Sequence, residues 1–120
     1  MPSILIVDDS KFSCKKAREM FLEESPSLDI TLAFLPSEAI HLVLEERRSF
    51  DLVILDFNMP EMDGLELFDK IGERVPAHRV ILLTATSAFA THSQTVPEGV
   101  RLVPKPINSD KIREILGYLA

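Results

Sequence analysis

The sequence predicts an open, doubly wound α/β sandwich, a parallel sheet covered by helices on both faces. Three observations predict it. Short apolar runs rich in β-branched residues recur at 4–7, 30–34, 52–55, 80–83 and 100–103. These runs are near-continuously apolar rather than alternating, the pattern of strands buried on both faces. Between them lie stretches long enough for a helix and two loops, with apolar residues at helical spacing. Right-handed crossovers then give the two-faced sandwich. At 120 residues, with 46% apolar and 27% charged content, the chain can bury one core and is expected to form one domain, 1–120.

The first strand run is followed by a helix with Ser10 as N-cap and Cys14, Ala17, Met20 and Phe21 on its inner face. After the second run, Pro36-Ser37-Glu38 opens a helix in which Ser37 is the expected cap and Ala39, Ile40, Val43 and Leu44 point inward. Asp63-Gly64 opens the third helix, with Leu65, Phe68 and Ile71 inward, and Arg47-Arg48 is read as a solvated helix end. The fourth helical stretch, 86–95, is rich in Thr and Ser and closely followed by Pro97, so a short or mobile helix is expected. The last helix is capped by Asn108 or Ser109 and buries Ile112, Ile115, Leu116 and Leu119.

Composition excludes several classes of function. The net charge is −6, from 13 basic and 19 acidic residues, without the Lys/Arg clusters of a nucleic-acid or anionic-membrane surface. No apolar run approaches a membrane span, and Met1-Pro2-Ser3 leads to four apolar residues and two aspartates, unlike a secretory leader. One cysteine, Cys14, permits no internal disulfide and fits a reducing compartment, so a cytoplasmic protein is expected.

Ligands of such folds sit beyond the carboxyl ends of the strands. Four runs end there in a reactive group: Asp8-Asp9, Asp56, Thr84, and Lys105 between Pro104 and Pro106. Taken singly, each has an ordinary structural explanation as a cap, a loop acid, a strand residue or a surface lysine. Parallel neighbouring strands would bring them to one place. Two carboxylates about 5 Å apart repel by roughly 3 kcal/mol at an effective dielectric near 20, so a proton or a cation is required. Lys105 supplies one charge. An oxygen-only donor set without nearby His or Cys selects magnesium, or manganese in its place, and leaves positions for phosphate oxygens. In such a site Asp56 suits a nucleophile for phosphoryl transfer, Asp8 and Asp9 suit the metal, and Lys105 and Thr84 suit phosphate oxygens.

These residues resemble the receiver domain of two-component response regulators, over essentially the whole chain. The resemblance rests on Ile4-Leu5-Ile6-Val7-Asp8-Asp9-Ser10, on the segment from Asp51 through Asp56-Phe57-Asn58-Met59-Pro60-Glu61-Met62-Asp63-Gly64, on Leu83-Thr84-Ala85 and on Lys105-Pro106. It implies a flavodoxin-like sheet in the order 2-1-3-4-5. It implies that Asp56 accepts a phosphoryl group from a sensor histidine kinase or a histidine phosphotransfer protein. Asp9, Asp56 and the backbone carbonyl of Asn58 would ligate magnesium, with Asp8 acting mainly through water, while Thr84 and Lys105 bind the phosphoryl oxygens. The response would pass to an output protein, to an effector domain beyond the C-terminus, or to a phosphorylation-dependent dimer.

The chain departs from the family pattern at Leu102, where a Tyr or Phe is usual, and in 91–99, which lacks the common Ala-rich helix and Gly-Ala turn. A receiver-like interaction module with non-standard switching is therefore one alternative. A haloacid-dehalogenase-type phosphatase is another, but it wants a general-acid Asp two residues after the nucleophile, where this chain has Asn58. A flavin site would need a hydroxyl- and Gly-rich phosphate loop where Asp8-Asp9 stand. His41, His78 and His92 have no metal-ligand spacing and read as surface or loop residues, and Cys14 as helix packing.

Overall fold

The computed structural model describes residues 2–85 and 96–119. Five strands, β1 (Ser3–Val7), β2 (Asp29–Ala33), β3 (Leu52–Asp56), β4 (Val80–Thr84) and β5 (Arg101–Pro104), form one parallel sheet in the order β2-β1-β3-β4-β5. The doubly wound order expected from the sequence is thus present. Residues 86–95, where a short or mobile helix was expected, lie outside the described residues. Among the described residues no helix is long and apolar enough to cross a membrane.

Alternation along the central strands divides the core in two. Ile4 and Ile6, Leu52 and Ile54, and Ile81 and Leu83 pack with Cys14, Ala17 and Phe21 of α1 (Lys11–Glu24) and with Ile112 and Ile115 of α4 (Ser109–Gly117). The intervening residues Leu5, Val7, Val53, Leu55, Val80 and Leu82 pack with Ala39 of α2 (Pro36–Ile40), with Val43, and with Leu67 and Ile71 of α3 (Gly64–Ile71). Every residue of β3 and β4 is buried. That explains why these two runs read as continuous apolar sequence.

Local chemistry sets the helix starts. Ser10 caps α1 by accepting from the Ser13 N–H, and Asn108 caps α4 by accepting from the Lys111 N–H. Asp63 and Glu66 form a reciprocal capping box on α3. The expected cap at Ser37 is corrected: Leu35 is the N-cap residue, without a side-chain bond, and Pro36 occupies the first turn. Ser37 instead donates its N–H (3.1 Å) and hydroxyl (3.3 Å) to the Glu61 carboxylate. Beyond Ile40 the helix widens into a turn over His41–Glu45, closed by the Glu46 N–H donating to the His41 carbonyl at 2.9 Å.

Two further expectations shift. The inner face of α3 is set by Gly64, Leu67 and Ile71, while Leu65 and Phe68 are half-buried. Arg48 is not a solvated end: its guanidinium donates to Thr31 Oγ1 at 2.9 Å and lies 5.2 Å from the Phe50 ring centroid.

Gly64 sits where α3 touches the sheet. A Cβ there would lie 2.8 Å from the Asp56 carbonyl oxygen and 2.8 Å from Leu82 Cδ2. Gly64→Ala is expected to destabilise the chain by roughly 1–3 kcal/mol in urea unfolding, the ordinary cost of overpacking. Cys14 is fully buried, and its thiol donates to the Asp8 carbonyl at 3.5 Å. Burial, with the charge of Asp8 adding to it, pushes this thiol up to about 12. A thiol raised in the folded state contributes stability that is intact below its unfolded value near pH 9 and lost as pH climbs through about 12. The urea midpoint should therefore fall more steeply over that window in the wild type than in Cys14→Ala.

Candidate functional site

The register of the sheet assembles the acidic site. β1 and β3 pair through Ile6–Ile54 and Val7–Leu55, so Asp8 and Asp56 stand at the same level, one step beyond the last pair. By the two-residue period, Asp8 continues the phase of Ile4 and Ile6, and Asp56 that of Leu52 and Ile54. Lys105 continues the phase of Val103 on β5. Backbone pairing extends over these residues: the Asp8 N–H donates to the Ala33 carbonyl (3.1 Å), Phe57 to Leu83 (2.8 Å) and Lys105 to Thr84 (2.7 Å).

The Asp8, Asp9 and Asp56 carboxylates offer oxygens that all lie within 4.8 Å of one another. Asp8 and Asp56 are each only 6% exposed, whereas Asp9 faces solvent. Lys105 Nζ lies 2.8 Å from Asp56 Oδ1, a charge-assisted contact. Each carboxylate pair at this separation repels by about 3 kcal/mol at an effective dielectric of 20, and by less for water-screened Asp9. Burial pushes the Asp8 carboxyl above the ordinary carboxylate range. The Ser10 N–H, 2.9 Å from Asp8 Oδ1, works against that shift, and the Asp56 charge adds to it.

Thr84 ends the neighbouring strand with the opposite phase, that of Val80 and Leu82. It is fully buried, and its Oγ1 has no hydrogen-bond partner among the described residues. Asn58 is exposed in the turn two residues past Asp56. That turn is held at both ends: the Gly64 N–H donates to the Phe57 carbonyl at 2.8 Å, and Glu61, at φ 72°, accepts the two bonds from Ser37. The structure therefore brings together Asp8, Asp9, Asp56 and Lys105, with Thr84 on the strand between β3 and β5. Leu102 is half-buried and packs with Val96 and Val100 against the α2–α3 side of the core, away from the acidic cluster in strand phase. His41 pairs with Glu46 on the surface (3.1 Å), His78 is exposed, and His92 lies outside the described residues.

Sequence reasoning missed two side chains that hold this region. Glu61 was read only as part of a motif, and its bond to α2 joins residues 24 positions apart. Lys111 was not singled out. Its ammonium donates to the carbonyls of Pro104 (2.6 Å) and Pro106 (2.9 Å), on either side of Lys105. The available signal was a lysine in the first turn of a helix, where an acidic residue is the ordinary choice.

Comparison with known proteins agrees with this architecture. The family description "Response regulator receiver domain" matches residues 4–117. The chain is 37% identical over 117 residues to protein-glutamate methylesterase/protein-glutamine glutaminase 2 of Carboxydothermus hydrogenoformans, covering 93% of this chain but 32% of that protein. It therefore spans about a third of the length of that curated relative. Among solved structures, response regulator TrrA from Thermotoga maritima, crystallised in complex with Mg(2+)-BeF, is 30% identical with a TM-score of 0.78, covering 100% of both chains. A CheY-like receiver domain protein from Methanospirillum hungatei is 25% identical with a TM-score of 0.81, covering 99% of this chain and 94% of its own. Since the family match runs from β1 to the end of α4, the five-stranded unit as a whole belongs to the response regulator receiver domains.

Proposed function

We propose that this receiver domain is a magnesium-dependent phosphoacceptor switch. Asp56 takes a phosphoryl group from the phosphohistidine of a sensor histidine kinase or histidine phosphotransfer protein, and the changed surface is read by a partner protein. The observation that carries this reading is the buried Asp56 carboxylate at the end of a central strand, 2.8 Å from Lys105 and within 4.8 Å of two further carboxylates.

In the transfer, an Asp56 carboxylate oxygen attacks phosphorus, the P–N bond to the donor imidazole breaks, and its electron pair leaves on the ring nitrogen. A carboxylate nucleophile needs no base to remove a proton. Lys105 passes its contact from Asp56 Oδ1 to a phosphoryl oxygen, so its charge follows the developing one. The buried Thr84 hydroxyl has no hydrogen-bond partner among the described residues; turned inward toward Asp56, it would donate to a second phosphoryl oxygen.

The residues present fit a hard divalent cation: three carboxylates within reach of one another and no nitrogen or sulfur ligand in the set. Asp8, Asp9, Asp56 and the backbone carbonyl of Asn58 would hold magnesium, with manganese as its substitute. When bound, the ion offsets the repulsion among the acids and the charge of the phosphoryl oxygens.

Incubation with acetyl phosphate and magnesium, followed by intact mass, tests the reading. The wild type should gain one phosphoryl group and Asp56→Asn none; chelating the metal should abolish the gain. Wild-type mass that never changes, or an equal gain in Asp56→Asn, overturns it. Turnover of added phosphomonoesters would instead favour a phosphatase.

A second expectation follows from Asp8. Its folded carboxyl is raised, so protonation favours the fold; that stability is present below the ordinary carboxylate value of 3.8 and lost as pH rises through the raised one. Without divalent cations, Asp8→Asn should melt above the wild type at pH 7 in a thermal scan. The gap should close toward pH 4, and added magnesium should narrow it at pH 7 by stabilising the wild type.

A further inference from the structure

Lys105 sits on a segment that leaves β5 at the edge of the sheet, where no further strand among the described residues pairs with its carbonyls. The Lys105 N–H is fixed from one side by the Thr84 carbonyl at 2.7 Å. The carbonyls before and after it are fixed from the other side by one group, the Lys111 ammonium, at 2.6 Å to Pro104 and 2.9 Å to Pro106. Three consecutive residues that include Lys105 are thus held at three backbone atoms.

Lys111 stands where helix chemistry argues against a cation. It is the third residue of α4, its N–H donates to the Asn108 cap at 2.9 Å, and it lies at the positive end of the helix dipole. The equivalent position of α3 carries Glu66, which completes a capping box with Asp63. Asp110 and Arg113 on α4 pair with each other and Arg113 also reaches Glu24, so Lys111 is not part of that surface network. A residue that breaks the local rule and spends its donors on the two carbonyls flanking Lys105 is placed for what Lys105 does.

We propose that Lys111 is a positioning residue for Lys105: its ammonium clamps the Pro104 and Pro106 carbonyls and so holds the Lys105 side chain against Asp56. The part of this inference that concerns phosphoryl transfer rests on the function proposed above. The clamp itself does not. Removing the donors frees the segment to rotate, Lys105 spends less time on Asp56, and the acids then meet an incoming phosphoryl group without their fixed cation. The clamp touches none of the three carboxylates, and a loosened Lys105 leaves Asp56 less neutralised, so magnesium affinity should not weaken.

The test compares wild type, Lys111→Met, which keeps the aliphatic stem without the donors, and Lys70→Met, which removes a lysine from the exposed side of α3. Pulse acetylation with an N-hydroxysuccinimide ester, read residue by residue by mass spectrometry, reports on Lys105 without any phosphoryl chemistry. Lys105 should be modified several-fold faster in Lys111→Met than in wild type or Lys70→Met, with Lys15 and Lys16 unchanged. Uptake of phosphoryl from acetyl phosphate at saturating magnesium should fall by about tenfold in Lys111→Met alone, while the magnesium midpoint from thermal shifts stays the same or moves to lower concentration. Should Lys111→Met fail to fold, Lys111→Gln, which keeps two N–H donors without the charge, takes its place and should show the same pattern at reduced size. Unchanged Lys105 acetylation, or a loss of uptake matched by Lys70→Met, overturns the proposal. A wild type that acetylates as expected but takes up no phosphoryl group overturns the function proposed above and leaves the clamp supported.

Discussion

Three carboxylates kept within 4.8 Å of one another are the constraint to which the rest of the molecule answers. Left to themselves in a flexible chain, Asp8, Asp9 and Asp56 would separate into water. The β1–β3 register prevents this, because Asp8 and Asp56 follow directly on a run of paired, buried residues. Folding therefore works against electrostatic repulsion and against the desolvation of the acids; burial is what chiefly raises the Asp8 carboxyl, and the Asp56 charge adds to it. Lys105 offsets part of the repulsion at 2.8 Å from Asp56. A surplus of negative charge remains, and it suits the three acids to a metal ion.

The two-sided core carries this load. Alternate residues of β1, β3 and β4 anchor α1 and α4 on one face and α2 and α3 on the other. Neither face of the central strands is free to slide, since a one-residue slip would exchange the two sets of side chains. Around the site the helix starts are tied in as well. Ser10 both caps α1 and, through its N–H, holds Asp8 Oδ1, while Asp63 caps α3 immediately before Gly64 closes onto the Asp56 carbonyl. The turn after Asp56 reaches α2 through Glu61 and Ser37.

Much of this was legible in the sequence. Continuous apolar runs told of a parallel, two-faced sheet, and the chemistry at the ends of those runs told which residues would meet. The strands differ from the expected runs by one residue at one or both ends; β2 begins at Asp29, which pairs with Ser3. What escaped was set by tertiary context. Leu67 is the fully buried residue of α3 beside the close seat of Gly64 on the sheet, while Leu65 and Phe68 pack against the core from its margin. Ser37 as a cap was a sound local inference that lost to Pro36 and to a carboxylate from another loop. Arg48 looked solvated because Thr31, 17 positions away, becomes its neighbour only when the chain folds. Lys111 had no motif to mark it, only its conflict with the helix end.

The backbone amides of Asp8, Phe57 and Lys105 donate across the sheet, beyond the last apolar pair of each strand. The site is consequently sewn into the same cooperative unit as the core strands rather than hung from independent loops. Its strand ends have no private way to melt. A core substitution that lowers the free energy of the sheet also raises the fraction of time the acids spend apart, however far it lies from Asp56. Selection for a stable sheet and selection for a tight acidic pocket act here on one and the same hydrogen-bond ladder.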